Sequence, residues 1–151
     1  MIGLVLGETQ FGNLIIKKLK SIKKKFLVID ISKNKIFKNN KNHFPLFIGQ
    51  LGKAISILKK NNCKKVIFAG RIDKPNFSKT KFDLKALYYL PRIINSSKKG
   101  DATLIKEIIK IFRREGIKII NSTYFNQDLL LKKGNYTKIK PDALSKKDIL
   151  K

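Results

Sequence analysis

Short β-branched runs alternate with stretches of helical spacing along this chain, and that alternation restricts it to a mainly parallel sheet covered by helices. Residues 2–6 (IGLVL), 26–31 (FLVIDI), 64–69 (KKVIFA) and 117–120 (IKII) are the apolar runs expected as strands, and 45–48 adds a short fifth candidate. Residues 11–24 carry Phe11, Leu14, Ile15, Leu19 and Ile22 near helical spacing, and 50–62 carry Leu51, Ala54, Ile55 and Leu58. Asp83 can cap a helix to about residue 95, with Pro91 expected to bend or break it. Asp101 is placed as the cap of a further helix through residue 114, with Leu104, Ile105, Ile108, Ile109 and Phe112 inward and Gly116 as its stop. Segments 32–42 and 71–82 read as loops, 122–131 as a short helical stretch and 132–140 as loop. The fold class predicted is α/β, a Rossmann-like three-layer domain with a mainly parallel sheet of four to five strands.

A length of 151 residues suits one hydrophobic core rather than two. No apolar run approaches the roughly 20 residues of a membrane span. The first residues are apolar at once, without a basic leader, and so predict a strand rather than a signal peptide. The single cysteine, Cys63, leaves no internal disulfide and fits a reducing cytoplasm.

The formal charge is +25, from 35 Lys and Arg against 10 Asp and Glu. Only Arg71, Arg92, Arg113 and Arg114 are arginines, and the lysines are scattered among many Ile and Asn, a pattern of compositional drift more than of a built patch. Such a charge still attracts anions at low salt, phosphates and acidic membrane surfaces included. It keeps open an alternative function as a non-catalytic, basic nucleotide- or nucleic-acid-binding module. Scarce arginine and the lack of a stacking-aromatic groove count against nucleic acid as a partner.

Four turns follow strands or open helices. The first, Gly7-Glu8-Thr9-Gln10-Phe11-Gly12, stands where a parallel sheet receives anions, but it lacks the glycines of the dinucleotide fingerprint and the lysine of a P-loop. Glu8 would repel a phosphate set directly on it, and turn geometry explains Gly7 as well as ligand binding does. Asp30, ending the second strand, is where a ribose-reading carboxylate would sit, which makes a nicotinamide-cofactor domain a further alternative. In Gly49-Gln50-Leu51-Gly52-Lys53, a glycine inside a helix start costs roughly 1 kcal/mol relative to alanine. Gly52 therefore calls for a reason, either close packing or contact with a phosphate held by Lys53. Ala69-Gly70-Arg71-Ile72-Asp73-Lys74-Pro75 again follows a strand, and Arg71 offers a planar bidentate donor to a phosphate unless Asp73 or Asp101 pairs it. Gly100-Asp101-Ala102-Thr103-Leu104 opens the last clear helix.

Other chemistries lack their residues. His43, the lone histidine, lies in a Lys/Asn stretch with no cysteine or carboxylate cluster near it in sequence, which argues against zinc. No nucleophile elbow and no D-x-D pair is present.

In their order, I-G-L-V-L-G at 2–7, G-Q-L-G-K at 49–53, A-G-R-I-x-K-P at 69–75 and G-D-A-T-L at 100–104 resemble the LpxI family, the UDP-2,3-diacylglucosamine pyrophosphatases of lipid A biosynthesis. The final P-D-A-L-S-K-K-D-I, residues 141–149, looks like that family's bridge out of its first domain. The resemblance implies an N-terminal Rossmann-like domain over 1–140, with 141–151 starting the bridge and a helix opened by Pro141 and Asp142. A C-terminal catalytic domain would be a partner in cis or in trans. It further implies a sugar-nucleotide lipid substrate, hydrolysed to UMP and 2,3-diacylglucosamine 1-phosphate with a divalent metal, Mg or Mn, whose ligands are not in this chain. Catalytic residues are thus expected elsewhere. The substrate-binding positions carried over are Gly49, Gln50, Gly52, Lys53, Gly70, Arg71, Lys74, Gly100, Asp101 and Thr103. The location implied is cytoplasmic, with a peripheral place at the inner membrane.

Overall fold

The computed structural model describes residues 1–73, 75–125, 142 and 145. Its elements run β1 (Ile2–Leu6), α1 (Phe11–Ser21), β2 (Phe26–Asp30), β3 (His43–Pro45), α2 (Leu51–Lys60), β4 (Lys65–Ala69), α3 (Leu84–Lys98), α4 (Asp101–Arg114) and β5 (Lys118–Ile120). The five strands form one sheet in the order β3-β2-β1-β4-β5, with every pairing parallel. This is the Rossmann-like α/β fold.

Both faces of the sheet are covered, which is why the central strands are apolar throughout instead of alternating. Leu4, Leu6, Val28 and Ile67 point to one side, against Ile15, Ile16 and Leu19 of α1 and Phe37 of the β2–β3 loop. Val5, Leu27, Ile29 and Val66 point to the other, against Ala54, Ile55 and Leu58 of α2, Tyr89 of α3, and Ile111 and Phe112 of α4. Fully buried Leu and Ile side chains such as Leu4, Ile15 and Leu19 each contribute roughly 1.5–3 kcal/mol. No helix among the described residues is long and apolar enough to cross a membrane.

Several sequence expectations are corrected. The short strand after β2 covers His43–Pro45 rather than 45–48, because His43, Phe44 and Pro45 align with Val28, Ile29 and Asp30. Pro45 is tolerated at the end of an edge strand, where its missing N–H is least costly. Helix α3 continues through Pro91 to Lys98. Pro91 is on the exposed side, so water can serve the carbonyl that loses its helical donor. Gly100, at φ 111°, is the N-cap of α4, and Asp101 is the first helical residue, where a carboxylate favours the helix dipole. Ile105 is 56% exposed, while Ile111, not expected inward, is fully buried. Residues 122–125 form turns, and the expectations for 126–140 and for a helix over 142–151 fall outside the described residues apart from 142 and 145.

Candidate anion-binding rim

The sheet order sends the chain from β1 to one face and from β4 to the other, so the crevice at the carboxyl ends of these neighbouring strands is the topological switch point, where open α/β sheets take their ligands. Gly7 and Gly70 stand there. The Gly7 amide donates to the Ala69 carbonyl at 2.9 Å and the Glu8 amide to the Arg71 carbonyl at 2.8 Å, carrying the β1–β4 pairing into the two loops. A Cβ on Gly7 would lie 2.1 Å from the Arg71 carbonyl oxygen. Gly70 holds φ +87°, and its Cβ would approach the Gly7 backbone to 3.1 Å. Close backbone approach therefore demands both glycines. Helix α1 opens just beyond, and its N-cap, Gln10, makes no side-chain capping bond. The first-turn amides of such a helix attract anions.

Charged side chains edge this crevice. Asp73 accepts from the Lys33 ammonium at 2.7 Å and lies 3.4 Å from Arg71 Nε, while the Lys33 amide donates to the Glu8 carboxylate. Lys33 holds the Asp73 carboxyl below its ordinary value, and the same bond raises the Lys33 ammonium. Arg71 thus has the Asp73 partner that competes with a ligand. Its side chain is 74% exposed, however, and solvent screens an exposed pair of this kind, so Asp73 holds the guanidinium only weakly.

The second glycine turn is organised by a residue that sequence reading assigned only to a cap. Asp83 caps α3 by accepting from the Ala86 amide at 2.8 Å, and it also accepts from the Gly52 amide at 3.1 Å and the Lys53 amide at 3.0 Å. The chain's own carboxylate therefore occupies helix-start amides of α2 that the sequence offered to a phosphate. A Cβ on Gly52 would lie 2.8 Å from Lys85 Cβ, so close packing of α3 on α2 explains that glycine. Gly49 sits tightly against Lys81, whose carbonyl oxygen would be 2.1 Å from an added Cβ. The Gln50 side chain accepts from the Phe47 amide at 2.9 Å, which closes the turn. Lys53 remains exposed at the helix start.

Gly100, Asp101 and Thr103 belong to a different place. They open α4 at the far end of α3 from Asp83, a separation of roughly 22 Å by helical rise over its 15 residues. A Cβ on Gly100 would meet nothing within 4 Å. The single cradle expected from the four motifs is thus divided, with Gly49, Gln50, Gly52, Lys53, Gly70 and Arg71 among the rim turns and the Gly100 group apart. Lys74 lies outside the described residues.

Asp30 cannot read a ribose. It is fully buried and accepts from the Ser32 amide at 3.0 Å, the Ser32 hydroxyl at 2.6 Å and the Phe37 amide at 3.1 Å, with His43 Nε2 3.0 Å away. Burial pushes its pKa up, but the bonds from Ser32, His43 and Phe37 outweigh that and hold it below the ordinary carboxylate value. This removes the support for the nicotinamide alternative and gives His43 a carboxylate neighbour that the sequence did not reveal. Lys35, also missed, donates to the carbonyls of Ser32 at 2.7 Å and Leu46 at 2.6 Å and so ties the β2–β3 loop to the rim turn. No His, Cys, Asp or Glu group of three or more among the described residues could hold a metal ion, so these residues do not fit a resident divalent cation.

An all-parallel α/β sheet with glycine turns closing its switch point, edged by Arg71, Lys33, Asp73 and Glu8, defines a Rossmann-like domain. More specifically, the chain belongs to the LpxI N-terminal domain family, which it matches over residues 1–129. It is 32% identical to the UDP-2,3-diacylglucosamine pyrophosphatase LpxI of Caulobacter vibrioides over 94 residues, which are 62% of this chain and 34% of that relative. The matched stretch is about a third of the relative's length.

Proposed function

We propose that this chain is the nucleotide-side domain of a UDP-2,3-diacylglucosamine pyrophosphatase of lipid A biosynthesis, binding the substrate's diphosphate and inactive without a second, catalytic domain in cis or in trans. The observation that carries this reading is the meeting of Gly7 and Gly70 at the switch point, beside Arg71 and the uncapped start of α1. Backbone amides and a bidentate guanidinium suit two linked phosphates, and the family relationship supplies the class of substrate. Attack on phosphorus needs further groups, for which the second domain is the source, including carboxylates for a Mg or Mn ion. A diacylated substrate resides in a bilayer, so the setting is the cytoplasmic face of the inner membrane.

Calorimetric titration with UDP tests the binding role, and product formation from UDP-2,3-diacylglucosamine with Mg or Mn tests the catalytic one. The chain alone should bind UDP without turnover, and turnover should appear on adding the C-terminal part of the Caulobacter relative. Absence of UDP binding at moderate salt would end the reading.

A further inference from the structure

Helix α3 presents two apolar faces where a surface helix needs one. Ala86 and Tyr89 are buried and Ile93 packs on the core, while Leu84, Leu87 and Tyr88 are 87%, 48% and 73% exposed. Positions 84, 87, 88, 91, 94, 95 and 98 share the outer side of the helix, and its continuation through Leu87, Leu90, Pro91, Ile94, Asn95 and Lys98 lines an open groove of about 420 Å³. Scattered exposed apolar residues need no cause, but a continuous strip along one helix marks a contact surface.

Charge selects the occupant. The helix contains no Asp or Glu, and exposed Lys81, Arg92, Lys98 and Lys99 surround the strip. Pairing with a second copy would set these cations against themselves in a protein of charge +25. An anionic lipid surface meets both demands. Leu84, Leu87 and Pro91 would enter the acyl boundary, Tyr88 would sit at headgroup level, and the basic flanks would face lipid phosphates. We propose that α3 is the docking element by which this protein lies on an anionic bilayer, in the plane of the interface. Because Asp83 joins the start of α3 to the Gly52–Lys53 turn, such docking would hold the rim beside the membrane surface. The inference deepens the membrane setting proposed above and rests on that setting only for its biology.

The test is sedimentation of the full chain with phosphatidylglycerol-rich vesicles and with phosphatidylcholine vesicles at about 150 mM salt. The chain should bind the anionic vesicles and leave the neutral ones. The triple variant Leu84→Ser, Leu87→Ser, Tyr88→Ser should lower that binding roughly tenfold, and because Leu87 is only 48% exposed and the Tyr88 ring packs on Tyr89, a cooperative thermal melt checks that the variant keeps its fold. A charge control, Lys24→Gln, Lys25→Gln, Lys64→Gln, Lys65→Gln at the amino edge of the sheet, should lower it by less than about threefold. Absence of binding to anionic vesicles, or equal losses in the two variants, would overturn the assignment. So would a dimer by sedimentation velocity that becomes monomeric in the α3 variant while vesicle binding persists. UDP titration is read separately, so loss of UDP binding with vesicle binding intact rejects the nucleotide reading and leaves the docking helix standing.

Discussion

Asp83 and Gly52, 31 residues apart, are joined by a 3.1 Å hydrogen bond from the Gly52 amide to the Asp83 carboxylate. The same carboxylate caps α3 through Ala86, so one side chain terminates two helices and fixes their mutual position. An internal anion thus occupies the start of α2, whereas the N-cap of α1 beside the β1–β4 crevice makes no side-chain capping bond.

Replacing Asp83 with alanine should lower stability by roughly 2–3 kcal/mol, the loss of an N-cap plus charge-assisted bonds to a second helix. Urea unfolding measures it. A loss under about 0.5 kcal/mol would mean that water replaces the carboxylate at both helix ends.

Gly70→Ala should destabilise the chain by about 1–3 kcal/mol, because alanine at φ +87° is strained and its methyl presses on Gly7. Gly7→Ala should cost at least as much, since the added carbon meets the Arg71 carbonyl. Thermal melts of the two variants against wild type decide the matter.

Arg71→Ala should weaken UDP binding about tenfold, or roughly 1.4 kcal/mol, with the thermal midpoint essentially unchanged because the side chain is mostly exposed. Arg71→Lys should recover only part of the affinity, lacking the planar fork. Unaltered UDP affinity in Arg71→Ala would remove this residue from the site.

Acid should weaken the fold through Asp30. Its folded pKa lies below the ordinary value of 3.8, so the folded protein holds that proton more weakly than the unfolded chain does. The stabilisation is complete above about 3.8 and is lost as pH falls through the lower folded value. Urea midpoints measured from pH 6 downward should drop steeply below pH 4, and Asp30→Asn should be less stable at pH 6 and flatten that drop.

Glu115 receives the ammonium groups of Lys59 at 2.6 Å and Lys85 at 2.7 Å, tying α2 and α3 to the end of α4. These bonds, Lys59 first, hold the Glu115 carboxyl below its ordinary value. With both lysines substantially exposed, screening limits the effect, and Glu115→Gln should cost roughly 0.5–1 kcal/mol. The difference from wild type should shrink on raising salt from about 0.05 to 1 M.

Most of the architecture was readable in the residues. The apolar runs at 2–6, 26–31 and 64–69 became the three central parallel strands, the second and third one residue shorter than expected, and the spacing of Leu51, Ala54, Ile55 and Leu58 placed α2 with its inner face correct. Apolar periodicity is a local property, and it survives into the fold because burial rewards it residue by residue. The turn glycines were also visible, since strand–glycine junctions need no distant partner to be noticed.

Which partner each group meets was settled only by the tertiary structure. Nothing near Asp83 in the chain indicates that it also serves α2, nor does the neighbourhood of His43 announce Asp30. The sequence places Gly100 in the same series as Gly49 and Gly70, yet the length of α3 carries it away from the Gly49–Lys53 turn that Asp83 holds. Short-range periodicity decides what a segment becomes. Hydrogen bonds and close contacts across tens of residues decide which amides remain for a ligand, and those depend on how finished elements pack in three dimensions.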